Sequence, residues 1–373
     1  MNRRSGWRAG GLVGVGLALA VGGCAANQNG SGPAAMGQAG GVSTPDTGSF
    51  NPRDPVAVSA VREHAISIID ESASSKDPQV RANAVEGASL APDRLKSVIA
   101  RGLQDPSAGV RTVAAMSVGK ARVSELSSSV RPLLEDQSAF VRAAAIFALA
   151  RCGQDVDRTP LAGMLLRDPS ARLRSHVAFI LGELGDPSAL SLLHQAVEES
   201  TRLDPGQRRF FELQACEAMV KLGDRAQCSA IQAALHPSHP EELENIALAC
   251  QLIGEIRDTT ASAQLVSLAD YSQVVGDPKQ PKGKQTYPAE VRLAAAGALS
   301  ALGVGGTGAP SIANEYASNE SAPIRAQAAY VFGQIGGHKY WGKLDAMMGD
   351  PSGDVRVSAA AAVLRSHSKP LSE

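Results

Sequence analysis

The residues best equipped for chemistry in this 373-residue chain are five cysteines and seven histidines. Four cysteines, at 152, 216, 228 and 250, follow Cys24, and an even count invites disulfides in an exported protein. Cys216 and Cys250 each fall inside a helical apolar stripe. Equivalent positions on stacked helices sit about 8–10 Å apart, beyond the roughly 7 Å reach of a disulfide. Buried free thiols are therefore expected, with Cys228–Cys250 the pairing to check first. His236 and His239, in HPSHPEE, could join Cys228 or Glu241 around a metal. The prolines instead indicate a turn with exposed rings, and no close CxxC or HExxH spacing supports zinc. The glycine-rich run Gly303–Gly308, GVGGTG, follows a helix and leads into Ala309-Pro310, so it reads as an inter-helix turn and not a phosphate cradle. No Ser-His-Asp spacing stands out. The expectation is no catalytic residue, no metal and no cofactor.

Cys24 has a different chemistry. Arg3, Arg4 and Arg8 form a positive start, and Ala9 to Gly23 is an apolar run too short for a confident membrane span. Val21-Gly22-Gly23-Cys24 resembles a bacterial lipobox, with Val where Leu is commoner. The resemblance implies cleavage before Cys24 and a diacylglycerol on its thiol; an ordinary secretory signal with a chance cysteine is the alternative. Two or three acyl chains anchor durably, at about 0.8 kcal/mol per buried CH₂. Residues 1–23 are thus read as signal peptide and 24–54 as a flexible Gly/Ser/Gln-rich tether. The expected address is the cell envelope, at the outer membrane or the periplasmic face of the inner one.

The elements that must position everything else repeat. Asp168–Asp186, DPSARLRSHVAFILGELGD, carries a capping Asp, a Pro suited to the first helical position, an apolar stripe through Leu173, Val177, Ile180, Leu181 and Leu184, and a terminating Gly185. A second amphipathic helix follows, with Leu190, Leu193 and Val197. Weaker copies recur, marked by Arg81, Arg111, Arg142, Arg174, Arg292, Arg325 and Arg356, each after an aliphatic residue. Phe211-Glu212 takes the hydrophobic–Arg position in a degenerate middle, and Glu241–Asp258 has no matching arginine. Asp270–Ala289 is polar, with three prolines and three lysines, and reads as a loop insertion near 271–289.

D-P followed by V-R-x-x-A-A-x-x-L-G resembles HEAT repeats, especially the short HEAT-like repeats named after phycobilisome lyases. The resemblance spans roughly 55–368 and implies an all-α, right-handed α-solenoid (superhelix) of about nine helix pairs. The residues agree, because each pair has an apolar face it can bury only against its neighbours. In such repeats the turn Asp and helix Arg typically form a ladder between neighbours, so the seven arginines are expected to be structural. A phosphate-binding row is the functional alternative.

Composition narrows the partners. Net charge is −1, and without the first 23 residues 33 basic side chains face 37 acidic ones. No nucleic-acid surface is indicated. Aromatics are only 4 %, which argues against a large ligand pocket, so no small-molecule substrate is expected. Two surface features rise above this background: Arg208, Arg209 and Phe210 beside Phe211, where at least one ring should enter the core, and the insertion with Tyr271, Lys282, Lys284 and Tyr287. Long loops on rigid scaffolds often carry contacts. The expected function is a lipid-anchored, non-enzymatic scaffold for an unidentified protein or peptide. An enzyme-accessory protein like the lyases, or a purely structural envelope protein, are the alternatives.

Overall fold

The computed structural model describes residues 50–236, 243–270, 272–275, 283–306 and 308–367. Two capping chemistries start its helices. In α1 (Pro55–Ser72) and α2 (Pro78–Ala88), Asp54 and Asp77 accept the N–H two residues on, and proline fills the first helical position where its missing donor costs nothing. At Asp168 the arrangement shifts by two residues. Ser170 is the N-cap and accepts the Leu173 N–H, while Asp168 accepts the Ser170 N–H and closes the preceding turn. This helix, read from Asp168 in the sequence, therefore begins at Ala171. Its end is as expected: Gly185 takes φ 72° and its N–H bonds back to the Leu181 carbonyl, a conformation that costs a residue with a Cβ.

The helices alternate between two concentric layers. The inner layer contains α2, α4 (Ala108–Ala121), α6 (Ala139–Arg151), α8 (Ala171–Leu184), α10 (Pro205–Lys221), α12 (Leu243–Glu255), α14 (Ala289–Leu302), α16 (Ala322–Ile335) and α18 (Gly353–His367). The outer layer contains α1, α3 (Pro92–Gly102), α5 (Ser127–Val130, flanked by 3-10 turns), α7 (Thr159–Arg167), α9 (Leu190–Glu198), α11 (Cys228–Ala233), α13 (Ser262–Asp270), α15 (Ala309–Tyr316) and α17 (Trp341–Met348). Each inner helix packs on the next inner one, and the outer helices pack against the inner row, several of them over the groove between two inner helices. Alanine and glycine at these seams let backbones come close: a Cβ on Gly333 would lie 2.8 Å from the Ala362 Cα.

Over the described residues the fold is an α-solenoid of nine helix pairs, and its two ends meet. Last helix α18 packs on α2, and α1 packs on both α17 and α18. Asn83 Nδ2 donates to Asp354 Oδ1 at 3.0 Å, and His64 Nδ1 meets Asp345 Oδ1 at 2.8 Å. Phe50, where the described chain begins, lies against Trp341. The row of pairs is therefore a closed ring rather than an open superhelix. In the repeat order of inner then outer helix, the ninth unit is split: α18 is its inner helix and α1, from the other end of the chain, its outer one.

The insertion contains secondary structure that its polar, proline-rich composition did not suggest. Strands β1 (Ser272–Val275) and β2 (Gly283–Thr286) pair antiparallel, with Val274 opposite Lys284. Backbone pairing needs no apolar side chains, so hydrophobic periodicity gave no signal.

Candidate functional site

The arginine row divides by the spacing of its acids. Arg81 grips Asp105, 24 residues on, through two hydrogen bonds of 2.7 and 2.8 Å. Arg111 holds Asp136 and Arg325 holds Asp350 the same way, each 25 residues on. A third nitrogen of each arginine donates to the turn before its own helix. Burial by itself would raise these carboxyls. The guanidinium and a backbone N–H outweigh it and hold Asp105, Asp136 and Asp350 below the usual carboxylate range. Asp168 comes one residue later relative to Arg142, and Arg142 reaches only the Asp136 and Gln137 carbonyls. Arg356, at the closure, likewise bonds only its own turn, at Asp350 and Pro351. Arg174 and Arg292 lack an Asp at that spacing. Arg292 turns to the Ala269 carbonyl, Glu315 and Tyr316. Arg174 is buried, donates to the Ala196 carbonyl and stacks 4.7 Å over the Phe211 ring.

That stack explains the break at Phe211-Glu212. Phe211 is fully buried at the hydrophobic position of its helix, one residue before Glu212, and offers its ring as an aromatic platform to Arg174. Phe210 packs partly buried on the core, Arg208 pairs with Glu212 at 3.6 Å, and Arg209 is exposed. The candidate surface thus holds one exposed cation and no exposed ring. Within the insertion, Tyr287 is partly buried against the core and Lys284 lies on β2, while Tyr271 and Lys282 lie outside the described residues, as do Cys24 and His239. His236 is exposed. All four described cysteines are free. Burial pushes the Cys216 thiol up to about 11 and raises that of fully buried Cys250, so neither is a ready nucleophile or metal ligand. Among the described residues no group of three His, Cys, Asp or Glu side chains could hold a metal, and no helix is long and apolar enough to cross a membrane.

The strongest concentration of chemistry lies in the middle of the ring. A cavity of about 380 Å³ is walled by residues of α2, α4, α8, α12, α16 and α18. It joins at Glu255, Tyr330 and Gln334 a second cavity of about 170 Å³ beside α12, α14 and α16. One helical row supplies most of the polar lining. Counting nine residues on from Arg81, Arg111, Arg174, Arg325 and Arg356 gives Leu90, Lys120, Glu183, Gln334 and Arg365, which line the main cavity together with Glu255, and counting from Glu212 gives Lys221 just behind it. Four residues earlier on the same stripe come Glu86, Phe179 and Tyr330. The sequence carries this signal as the register of the repeat, but only closure turns one face of each helix toward a shared centre.

On one side these charges satisfy each other. Lys221 Nζ lies 2.6 Å from both Glu183 and Glu217, and 5.1 Å over the Phe179 ring; Lys120 sits 5.3 Å over the same ring. Gln214 also donates to Glu217. Burial would lower Lys221, but Glu217 and Glu183 outweigh it and hold the lysine above its ordinary value. Glu183 is held down by Lys221 against its burial, whereas fully buried Glu217 is pushed up by burial that Lys221 only partly offsets. Glu86 differs. It keeps some accessible surface in the cavity yet is enclosed on every side, and burial raises its carboxyl, with Lys120 and Arg365 opposing and Glu255 reinforcing. Tyr330 is raised by burial too, though the Arg365 guanidinium 4.9 Å over its ring opposes this.

Residues 63–150 match the family described as HEAT repeats, and residues 173–199 match the PBS lyase HEAT-like repeat. These stretches are similar to HEAT repeats, and the layered helices around them form an α-solenoid. Among solved structures, an engineered protein is 15 % identical, over 87 % of this chain and 94 % of its own, with a TM-score of 0.32. Human deoxyhypusine hydroxylase in complex with glycerol is 17 % identical, over 76 % of this chain and 99 % of its own, with a TM-score of 0.36. At those scores neither carries an argument about this protein. No curated protein matches the chain.

Proposed function

We propose that this protein is a lipid-anchored, non-catalytic scaffold of the bacterial cell envelope that holds a protein or peptide partner. The observation that carries the reading is the β1–β2 hairpin, the one place among the described residues where the helical ring departs from its layers. A closed ring braced by ion pairs is a stiff platform, and a two-stranded insertion on it offers backbone donors and acceptors to an incoming chain. Val56 is the single large apolar side chain exposed among the described residues, which fits a partner bound through polar and backbone contacts. The lipobox-like Val21–Cys24 and the tether to about residue 54 support anchoring at a distance from a membrane.

Two substitutions separate address from task. Cys24→Ser should release the protein from membranes into the soluble fraction; full retention refutes the anchor. Deleting 273–286 should leave the circular dichroism spectrum and thermal midpoint intact while removing the main crosslinked partner seen by mass spectrometry in membranes. An unchanged crosslink pattern refutes the hairpin as the site. Absence of any dominant partner for the intact protein favours a purely structural role.

A further inference from the structure

The ring is not braced evenly. A seam between neighbouring inner helices is fastened by a ladder ion pair at the turn, or by a glycine that seats against the next helix. Ion pairs fasten α2 to α4, α4 to α6 and α16 to α18. Glycines fasten α8 to α10 (Gly182 on Ala218), α12 to α14 (Gly254 on Ala298), α14 to α16 (Gly297 on Val331) and α18 to α2 (Gly87 on Ala361). Among the described residues, the seams α6/α8 and α10/α12 have neither. They bound one segment, α8 to α10, residues 171–221. We propose that this segment is a gate: it turns as one body about its two flanking seams and opens the central cavity, which α8 walls with Phe179 and Glu183. This goes beyond the scaffold reading and is independent of the anchor and the hairpin.

Each seam is loose for an identifiable reason. At α6/α8, Arg142 donates to the Asp136 and Gln137 carbonyls and reaches no acid. The seam is crossed by the Phe140–His176 ring contact at 5.6 Å and by a 3.3 Å bond from Arg151 to the Glu183 carbonyl. At α10/α12 the ladder position is Glu212, which accepts from Ser200 and pairs with Arg208 instead of reaching α12. Glu255 of α12 repels Glu217 of α10. The polar link on this side runs through outer helix α11, where Gln232 donates to Asp258 and Thr260. Inside the segment the opposite holds. Lys221 of α10 lies 2.6 Å from Glu183 of α8, Arg174 stacks 4.7 Å over Phe211, and a Cβ on Gly182 would lie 2.8 Å from the Ala218 Cα. The Glu183–Lys221–Glu217 cluster therefore moves intact, and opening strips no buried carboxylate of its cation. Across the cavity, Lys120 of α4 sits 5.3 Å over the Phe179 ring and serves as the latch, a cation–π contact that opening breaks. Weak contacts at two edges of a firmly joined unit are the energetic pattern of a hinged body.

The test is double electron–electron resonance on nitroxide pairs in the full chain, with Cys24, Cys152 and Cys228 replaced by serine. Ser97→Cys on α3, Ser191→Cys on α9 and Ala346→Cys on α17, all at exposed positions, supply three pairs. The two pairs that include position 191 should give two populations, or a distance distribution about twice as wide as that of the 97–346 pair, which stays within the rest of the ring. Lys120→Met should move weight in the 97–191 pair toward longer distances. The 97–346 pair should stay narrow in that variant, showing that the ring remains folded. Equally narrow distributions in all three pairs would overturn the gate. Equal broadening of all three would also overturn it, because the ring would then flex everywhere. An unmoved 97–191 distribution in the Lys120 variant would overturn the latch.

Discussion

His176 shows how much one residue can depend on the ring. It lies fully buried on α8 beside Phe140, and burial lowers its pKa from 6.5 to about 4, against a smaller opposing contribution from the Phe140 backbone. The folded state therefore disfavours the charged ring. Its stability is fully present above pH 6.5, falls as pH drops from 6.5 toward 4, and levels off below. Over that window the loss is about 3 kcal/mol at 1.36 kcal/mol per pKa unit. Chemical denaturation at pH 7.0 and 4.5 should show this slope, and His176→Leu should flatten it; an identical slope in the variant would assign the pH dependence to other groups. The residue was legible as a histidine beside an apolar stripe, but its zero exposure comes from a neighbouring inner helix that the local pattern does not specify.

At the scale of elements, the ladder is a test of spacing. Arg111 makes a two-pronged bond to Asp136 and also binds the Asp105 carbonyl, with only 19 % and 9 % of the two side chains exposed. Arg142 binds two carbonyls and no acid. Arg111→Ala should cost about 2–3 kcal/mol, since it leaves a largely buried carboxylate unpaired, and Arg142→Ala about 1 kcal/mol. Equal losses in thermal melts would mean that the carbonyl contacts, not the ion pair, do the stabilising. The sequence disclosed the repeating Asp and Arg but not which pairs engage, because a shift of one residue moves a helix side chain by about 100° around its axis.

For the whole molecule, closure removes the exposed ends that an open solenoid must cap. Helix α1 carries the closing apolar stripe, with Val61, Ala65 and Ile69 buried, and it lies over the groove between α18 and α2. Deleting residues 55–72 while keeping the tether should destabilise the ring by on the order of 5 kcal/mol, from apolar side chains worth roughly 1.5–3 kcal/mol each. Hydrogen exchange should then accelerate in 353–367, nearly 300 residues away in sequence, and stay slow in 171–184. Unchanged exchange in 353–367 would show that α2, α16 and α17 hold α18 without α1.

By itself the sequence determined the repeat: capping Asp-Pro pairs, 3.6-residue apolar stripes, terminating glycines and small residues at the seams are local properties, and local properties specify helices and their stacking partners. It also disclosed the break at Phe211-Glu212 and the insertion. Only the tertiary structure decided that α1 meets α18, that Phe211 is the platform on which Arg174 stacks, and that polar side chains from six inner helices line one cavity. Those outcomes depend on the small rotation between successive pairs, summed over nine of them. A rotation too small to leave a mark in any single repeat accumulates into a full turn, and that turn brings Glu86 and Glu255 into the lining of one cavity.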